Sequence, residues 1–371
     1  MNLDFKFGTN ESNDASFISD FDTFPAFMER NPERNATDRK SDTYMFKGDY
    51  VLPLGESAQF EFGFKADFNE TESDYLVEDF DDSIGQYFNN TNFSNTLNFE
   101  QNIFALYSQF GKKINKFSYL LGLRMETTDR TVDLLQTQEN YERSFTEFFP
   151  TINLGFEFSE GESLTLGYSS RLRRPMHWFL NPFESRTSET YIMTGNINLD
   201  PTFTDSFDLG YLKRWDKFTL NSSVYYQHSK QNFTFIQREE IRDIDDVPTL
   251  VIIRSPINLG TVDRFGIEFN SNYNPYKWWR LSASVNLYKS KTKGEYEGLS
   301  YDSEDETFSG RFDSRITLPG KIDWQTSARY RGPSESAFSK RKGSIGINLA
   351  FSKDILKDNG TLSFNVSDLL N

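Results

Sequence analysis

The sequence predicts an all-β fold, an antiparallel transmembrane β-barrel. Three observations carry that expectation. Apolar residues recur at every second position over long runs, short and long connections alternate along the chain, and the composition is aromatic without being apolar. Aromatic residues make up 16% of the 371 residues, with 37 Phe and 18 Tyr, yet hydrophobic residues reach only 36% and the mean hydropathy is −0.64. A soluble protein of this size draws more Leu, Ile, Val and Ala into its core. A transmembrane barrel needs apolar residues only on its outer face, so its average hydropathy looks soluble.

The strands follow in order. In Ala58–Phe68 one face carries Ala58, Phe60, Phe62, Phe64, Ala66 and Phe68, and the other carries Gln59, Glu61, Gly63, Lys65 and Asp67. On a helix this spacing scatters the Phe around the axis and leaves no face to bury. A typical soluble strand runs about five or six residues, whereas a strand that crosses a bilayer needs about 9–11. Tyr119, Leu121, Leu123 and Met125 repeat the pattern, as do Ile152, Leu154, Phe156 and Phe158, then Leu164, Leu166 and Tyr168. Phe265, Ile267 and Phe269 continue it, followed by Trp279, Leu281, Ala283, Val285 and Leu287. Ile345, Ile347, Leu349 and Phe351, then Leu362, Phe364 and Val366, close the series. Glycine is frequent at the polar positions, where a small residue relieves crowding in a lumen.

Short connections fall near Pro53–Ser57, Gly111–Lys116, Ser159–Ser163, Trp215–Lys217, Asn274–Lys277, Leu318–Lys321 and Lys353–Gly360. Longer polar stretches lie between them, near Asn69–Thr96, Asp129–Arg143, Arg174–Thr204, Asn232–Pro248, Lys293–Asp305 and Gly332–Lys340. Short turns on one side and long loops on the other are the barrel pattern, and seven short turns join about fourteen strands. Aromatics near strand ends, among them Phe148, Trp215, Tyr276, Trp278 and Trp279, fit interfacial girdles. A soluble propeller or tandem sandwich fits the long strands and asymmetric connections less well.

No linker divides the chain, and no run of 18 apolar residues forms a membrane helix. The opening MNLDFKFGTN has neither the basic start nor the apolar stretch of an export signal. The expectation is therefore a piece of a longer protein whose N-terminal part lies upstream. Residues 1–41 are read as an external loop or strand remnant, and residues 42–371 as an incomplete outer-membrane barrel domain. The net charge of −15 argues against nucleic acid as a partner. There is no Cys, which suits an oxidising envelope but decides little.

The most specific stretch is Phe149–Pro201, with FPTINLGF, LGYSSRLRRP, LNPF and GNINLDP in that order. LLGLRMETT at Leu120–Thr128, DRFGIEFN at Asp263–Asn270 and FNVSDLLN at Phe364–Asn371 accompany it. Together these segments resemble the β-barrel of TonB-dependent outer-membrane receptors of the Bacteroidota type, over most of residues 42–371. That resemblance implies a barrel of about 22 strands with an N-terminal plug in its lumen and a TonB-contact motif ahead of the plug. It also implies import of scarce nutrients such as iron chelates, cobalamin, glycans or peptides. This chain contains neither plug nor TonB-contact motif and stops before the closing strands, so a TonB complex would be reached through the missing N-terminal segment. A surface lipoprotein and outer-membrane lipid or lipopolysaccharide are the other expected partners.

The resemblance marks Arg171, Arg173, Arg174, Pro175, Asn181, Pro182, Phe183, Gly195, Asn196 and Pro201 as the motif loop. The three arginines sit at the outer end of a strand, placed to pair with loop carboxylates or a lipid phosphate. Asn181, Pro182 and Phe183 suit a tight turn in an ordered external loop. Strand alternation points Glu61, Lys65, Arg124, Glu126, Glu157, Arg171, Glu268 and Arg280 into the lumen. Acidic clusters at Asp74, Glu78, Asp79, Asp81 and Asp82, at Asp243, Asp245 and Asp246, and at Asp302, Glu304, Asp305 and Glu306 are candidates for Ca²⁺. None has the spacing of an EF-hand loop, and they read better as solvated loops. No cofactor is expected. His177 and His228 are the only histidines, and no nucleophile or phosphate-loop motif is present, so an enzyme is not expected. His177, beside Trp178, is read as a loop contact. The function read from the sequence is ligand uptake by the barrel of a TonB-dependent receptor. A non-transporting scaffold barrel and a passive porin are the alternatives.

Overall fold

The computed structural model describes all residues except 20, 23–27, 30, 31, 245, 246, 338, 356–358 and 371. A 16-stranded sheet dominates it. Fifteen of its strands lie side by side in a single path. The sixteenth, Gln86–Asn89, pairs with the upper end of one of them. In path order the wall strands are β1 (Asn2–Ile18), β2 (Glu33–Pro53), β3 (Ala58–Asp81), β4 (Asn95–Ile114), β5 (Phe117–Leu134), β6 (Glu139–Ser159) and β7 (Glu162–Arg173). Two loop strands follow in sequence, β8 (Glu184–Ser188) and β9 (Tyr191–Thr194). The wall resumes with β10 (Thr202–Arg214) and β11 (Phe218–Lys230). A loop hairpin, β12 (Phe233–Ile244) and β13 (Val247–Asn258), interrupts it again. The path ends with β14 (Thr261–Tyr276), β15 (Trp279–Lys293), β16 (Ser303–Leu318), β17 (Ile322–Arg331), β18 (Ser344–Ile355) and β19 (Gly360–Val366).

Every wall pair is antiparallel and joins strands consecutive in the path. The path is open, with β1 and β19 at its two ends. The expected fourteen strands become fifteen because Asn2–Ile18 is a full-length strand, in register with β2 from Asn2↔Asp49 to Ile18↔Glu33. The division placed at residue 41 falls inside β2.

The strands are longer than the expected ones. The stretch Asn69–Thr96 continues as β3 to Asp81 and restarts as β4 at Asn95. The stretch Asp129–Arg143 shrinks to a turn between Leu134 and Glu139. These residues are polar on the outward face and on much of the inward one, so composition reads them as loop. They carry on the hydrogen-bonded ladder above the bilayer, where water takes the outward face and the loops cover part of the inward one. At about 3.3 Å per residue, the 24 residues of β3 reach about 80 Å, against about 30 Å of hydrocarbon. At the other end the turns are tight. Asn115, between β4 and β5, adopts φ 54°, a left-handed conformation that Asn tolerates better than most residues.

The register fixes two faces. Phe62 pairs across from Ser108 and Phe64 from Leu106, and Leu106 pairs across from Met125. Phe62, Phe64, Leu106 and Leu123 are exposed on that face. The opposite face carries Glu61, Gln109, Arg124 and Glu126. One packing detail on this face explains a glycine. A side chain at Gly63 would lie 2.6 Å from the Tyr107 ring, and Tyr107 donates from its hydroxyl to Asp49 across the glycine (2.6 Å).

The compact core is at the loop end. Leu97, Phe99, Val132 and Leu134 from the polar face of β4 and β5 are buried with Phe179, Leu180 and Leu199 from the loop after β7. The strand period places Leu97 and Phe99 on the same side as Gln109, and Val132 and Leu134 on the same side as Glu126. The loops therefore fold over the polar face, which identifies that face as the lumen and the Phe60–Phe64 face as the lipid side.

Candidate functional site

The loop end of the lumen is built from two insertions. The first, after β7, holds the single turn α1 (His177–Leu180) and strands β8 and β9. The second is the β12–β13 hairpin, which replaces the expected irregular loop Asn232–Pro248 with a ladder from Phe233↔Asn258 to Ile244↔Val247. The two join in one four-stranded sheet through a parallel pairing of Tyr191–Met193 with Ile252–Arg254. Ile192, Val251 and Ile253 are buried at that join.

The motif residues hold this cap on the wall. Arg174 donates to Glu126 (2.6 Å) and to Thr128 (2.7 Å), while Arg124 donates to the other Glu126 oxygen (2.6 Å). One largely buried carboxylate thus serves two guanidinium groups. Arg173 lies over the Phe233 ring at 4.0 Å and donates to Asn232. Arg171, opposite Thr204, is exposed. Strand parity turns Arg171 and Arg173 to the lumen side, and Arg174 bonds lumen-facing groups. Arg173 and Arg174 therefore meet loop and wall, and Arg171 lies on the lumen side, so none of the three faces a lipid phosphate.

Pro175 and Pro201 are buried at the two ends of the insertion. Asn181 donates to Asn95 on β4 (3.2 Å), and its side-chain oxygen accepts from the Phe183 amide (3.1 Å), a local turn that includes Pro182. Thr194 closes the same turn by donating to the Pro182 carbonyl (2.7 Å). The Gly195 amide donates to the Asn181 carbonyl and the Asn196 amide to the Phe179 carbonyl, each at 2.7 Å. A Cβ on Gly195 would run into both carbonyls, so no other residue fits this crossing without displacing backbone. The Asn196 side chain donates to the Pro256 carbonyl (3.2 Å) and ties the first insertion to the second.

Several anchoring residues carry no sequence signal. Arg186 on β8 pairs with buried Glu33 on β2 and lies over the Phe93 ring at 3.5 Å. Its amide donates to the Tyr75 hydroxyl on β3 (3.1 Å). The first insertion thus leaves β7 and reaches β2 and β3 across the concave face. Arg242 on β12 grips Glu184 on β8 with two bonds of 2.8 Å, and the carboxylate raises its pKa further above the ordinary guanidinium value. His177 is partly buried in α1 near Phe99. Burial, with the Arg39 charge nearby, pushes its pKa down to about 4.

Of the other lumen residues, Lys65 pairs with Asp67 (2.7 Å) and Glu157 with Lys113 (2.7 Å). Glu268 accepts from Asn270 (2.7 Å), and Glu61 accepts from Gln59 (2.7 Å). Arg280 lies opposite Arg315 on the lumen face of β15. Like the motif residues they occupy one face, but they are spread along the wall and form no single site. Among the acidic clusters, Asp79 and Asp81 bond to neighbouring Asn90 and Ser83 side chains. Asp245 and Asp246 lie outside the described residues. Among the described residues, no group of three or more His, Cys, Asp or Glu side chains converges on a point where a metal would sit.

The whole chain, residues 1–371, matches the model of the outer membrane protein beta-barrel family. Among solved structures it is similar to the copper transporter OprC, with a TM-score of 0.67 at 14% identity over 98% of this chain and 56% of that one. It is also similar to the ferric yersiniabactin uptake receptor FyuA from Yersinia pestis, with a TM-score of 0.61 at 12% identity over 98% and 54%. The ferric citrate transporter FecA gives the same values, a TM-score of 0.61 at 12% identity over 98% and 54%. The chain spans a little over half the length of these solved relatives. No curated protein matches it. The antiparallel wall, its lipid-facing apolar rows and the family match along every residue lead to one assignment: the chain belongs to the outer membrane protein beta-barrel family and lies in the outer membrane.

Proposed function

We propose that this chain forms the barrel wall of a TonB-dependent receptor that takes up a scarce ligand across the outer membrane. The observation that carries the reading is the inward-folded cap. Two loop insertions share a sheet, bury an apolar core against the lumen wall and bond to β2, β3, β4 and β5. A passive pore gains nothing from so much ordered structure over its mouth, whereas a receptor needs a fixed surface on which to select a ligand. The wet charge pairs along the wall, each worth about 0–1 kcal/mol, suit a lumen that grips a polar plug and lets it shift. The solved relatives named for copper, ferric yersiniabactin and ferric citrate support uptake. The ligand class for this chain stays at an iron chelate, glycan, peptide or similar scarce solute. Energy would arrive from a TonB complex through a segment upstream of this chain, and a surface lipoprotein would be the partner at the loops.

The test uses the natural full-length product in a planar lipid bilayer. The intact protein is expected to conduct almost nothing, and deletion of the upstream plug is expected to open a large current. A wide, steady pore in the intact protein would replace the receptor reading with the porin reading.

A further inference from the structure

Arg130, on the lumen face of β5, is 7% exposed. It lies opposite Gln101 on β4 and Arg143 on β6. The three side chains therefore share one face of adjacent strands, with each backbone about 5 Å from the next. Among the described residues, no hydrogen bond, salt bridge or ring contact engages the Arg130 guanidinium, and no hydrogen bond engages the Gln101 side chain.

Arg143 reaches the end of the first insertion, where it pairs with Asp200 and donates to the Leu199 carbonyl (3.4 Å). Asp200 is the carboxylate whose charge acts on Arg130, but its two oxygens are already taken by Arg143 and by Gln231 (3.1 Å). Burial first, and the Arg143 charge second, outweigh it and push the Arg130 pKa down to about 10. At neutral pH the guanidinium still carries its charge. Asp129, Asp133 and Glu142 point to the outward face by strand parity. Glu126, Glu139 and Glu147 share the lumen face but stand four residues along the strands from the two arginines, about 13 Å away. Two arginines and one carboxylate thus leave one positive charge under the loop, beside the apolar core of Phe99, Val132 and Leu199.

We propose that Arg130, Arg143 and Gln101 bind one small, singly charged inorganic anion of the halide type, and that this ion locks the first insertion onto the wall. The leftover charge matches a monovalent anion, and all three side chains offer N–H donors and no competing carboxylate. The adjoining apolar core leaves a small ion as the fitting occupant. Arg143 and Asp200 are part-exposed and give the ion its route from water. With the insertion undocked, Arg130 faces water. Docking takes it out of water, and a buried guanidinium without a partner opposes that step. An anion that binds the docked form therefore favours docking by mass action. The site stands whatever solute the barrel takes up.

The test is hydrogen exchange on the full-length protein in detergent, with sodium gluconate replaced stepwise by sodium chloride at constant ionic strength. The reporters are the amides of Leu199 and Asp200, which bond Asn196 and Asn258. Their exchange is expected to slow by about tenfold once chloride is about ten times its dissociation constant. Gluconate is too large for the site and should have no such effect. Arg130→Met removes the buried charge, so its insertion should stay docked in gluconate alone and lose the chloride response. Crystals of the wild-type protein soaked in bromide give a second reading that needs no variant. Anomalous scattering should place a bromide in contact with the Arg130 guanidinium. Wild-type exchange that is the same in chloride and gluconate overturns the proposal. So does a chloride response that persists in Arg130→Met, or bromide found on the protein but not at Arg130.

Discussion

Arg186 and Glu33 stand 153 positions apart in sequence and meet as an ion pair under the loop cap. Glu33 is 4% exposed, so neither charge has ready access to water as a substitute partner. Removing one member of such a pair leaves the other buried and unpaired, at a cost of about 3–5 kcal/mol. Arg186→Met is expected to loosen β8 and β9 from the wall by an amount in that range. Glu33→Leu added to it should recover part of the loss. Hydrogen exchange at the amides of residues 184–194 measures both, and equal protection in wild type and Arg186→Met would show that the pair does not hold the cap.

Gly195 predicts a second, sharper break. Its Cα passes the backbone carbonyls of Asn181 and Phe179, which also accept the two amide bonds that close the turn. Backbone cannot swing aside as a flexible side chain does. Gly195→Ala is expected to cost about 1–3 kcal/mol of overpacking, concentrated in the insertion after β7. Limited proteolysis should cut residues 174–201 faster in the variant while the wall stays intact. Unchanged cleavage would mean that the loop relaxes around the added methyl.

Legibility in the sequence followed the period of the chain. Where apolar and polar residues alternate, as in Ala58–Phe68, strand and facing are both readable, because one face must meet lipid. Where the outward face is wet and the inward face is mostly polar beneath the loops, as in Asn69–Asp81, the ladder persists without a hydropathy signal and reads as loop. The motif loop was legible as a turn at Asn181–Phe183, since that chemistry is local. Its anchors were not. Glu33, Tyr75, Asn95 and Asn258 sit in ordinary polar contexts, and only the fold brings them to Arg186, Asn181 and Asp200. The arginines at 171, 173 and 174 read as lying at the outer end of a strand. Strand alternation points Arg171 inward from sequence alone, but the Asn232 partner of Arg173 and the Glu126 partner of Arg174 require the fold.

His177 should make docking of the cap pH-dependent. Its folded pKa is about 4, below the ordinary value of 6.5, because burial and Arg39 disfavour the imidazolium. The stabilisation is therefore fully present above about pH 6.5. It declines as the pH falls toward about 4, where the undocked state binds a proton that the docked state refuses. Exchange protection at Phe179 and Leu180 is expected to fall across that window. His177→Phe should flatten the profile while keeping the ring contact with Phe99. A wild-type profile that is flat between pH 7 and pH 4 would contradict the burial of the ring.

The two faces of β15 allow the assignment of lipid and lumen to be tested one residue apart. Ala283 lies between Leu281 and Val285 on the apolar side, opposite Ser271 on β14 and Phe312 on β16. Ser284 points to the other face, opposite Arg311, whose charge is already paired with Asp313 (2.6 Å). An arginine at Ala283 must place its guanidinium in hydrocarbon or bend it to the surface. Ala283→Arg is expected to destabilise the barrel by roughly 2–4 kcal/mol near the bilayer midplane. Ser284→Arg enters a wet lumen beside a neutralised neighbour and should cost a small fraction of that. Unfolding of the full-length protein in lipid vesicles measures both. Equal losses would mean that the two faces see the same solvent, and the outward direction of Phe60, Phe62 and Phe64 would then have to be abandoned with them.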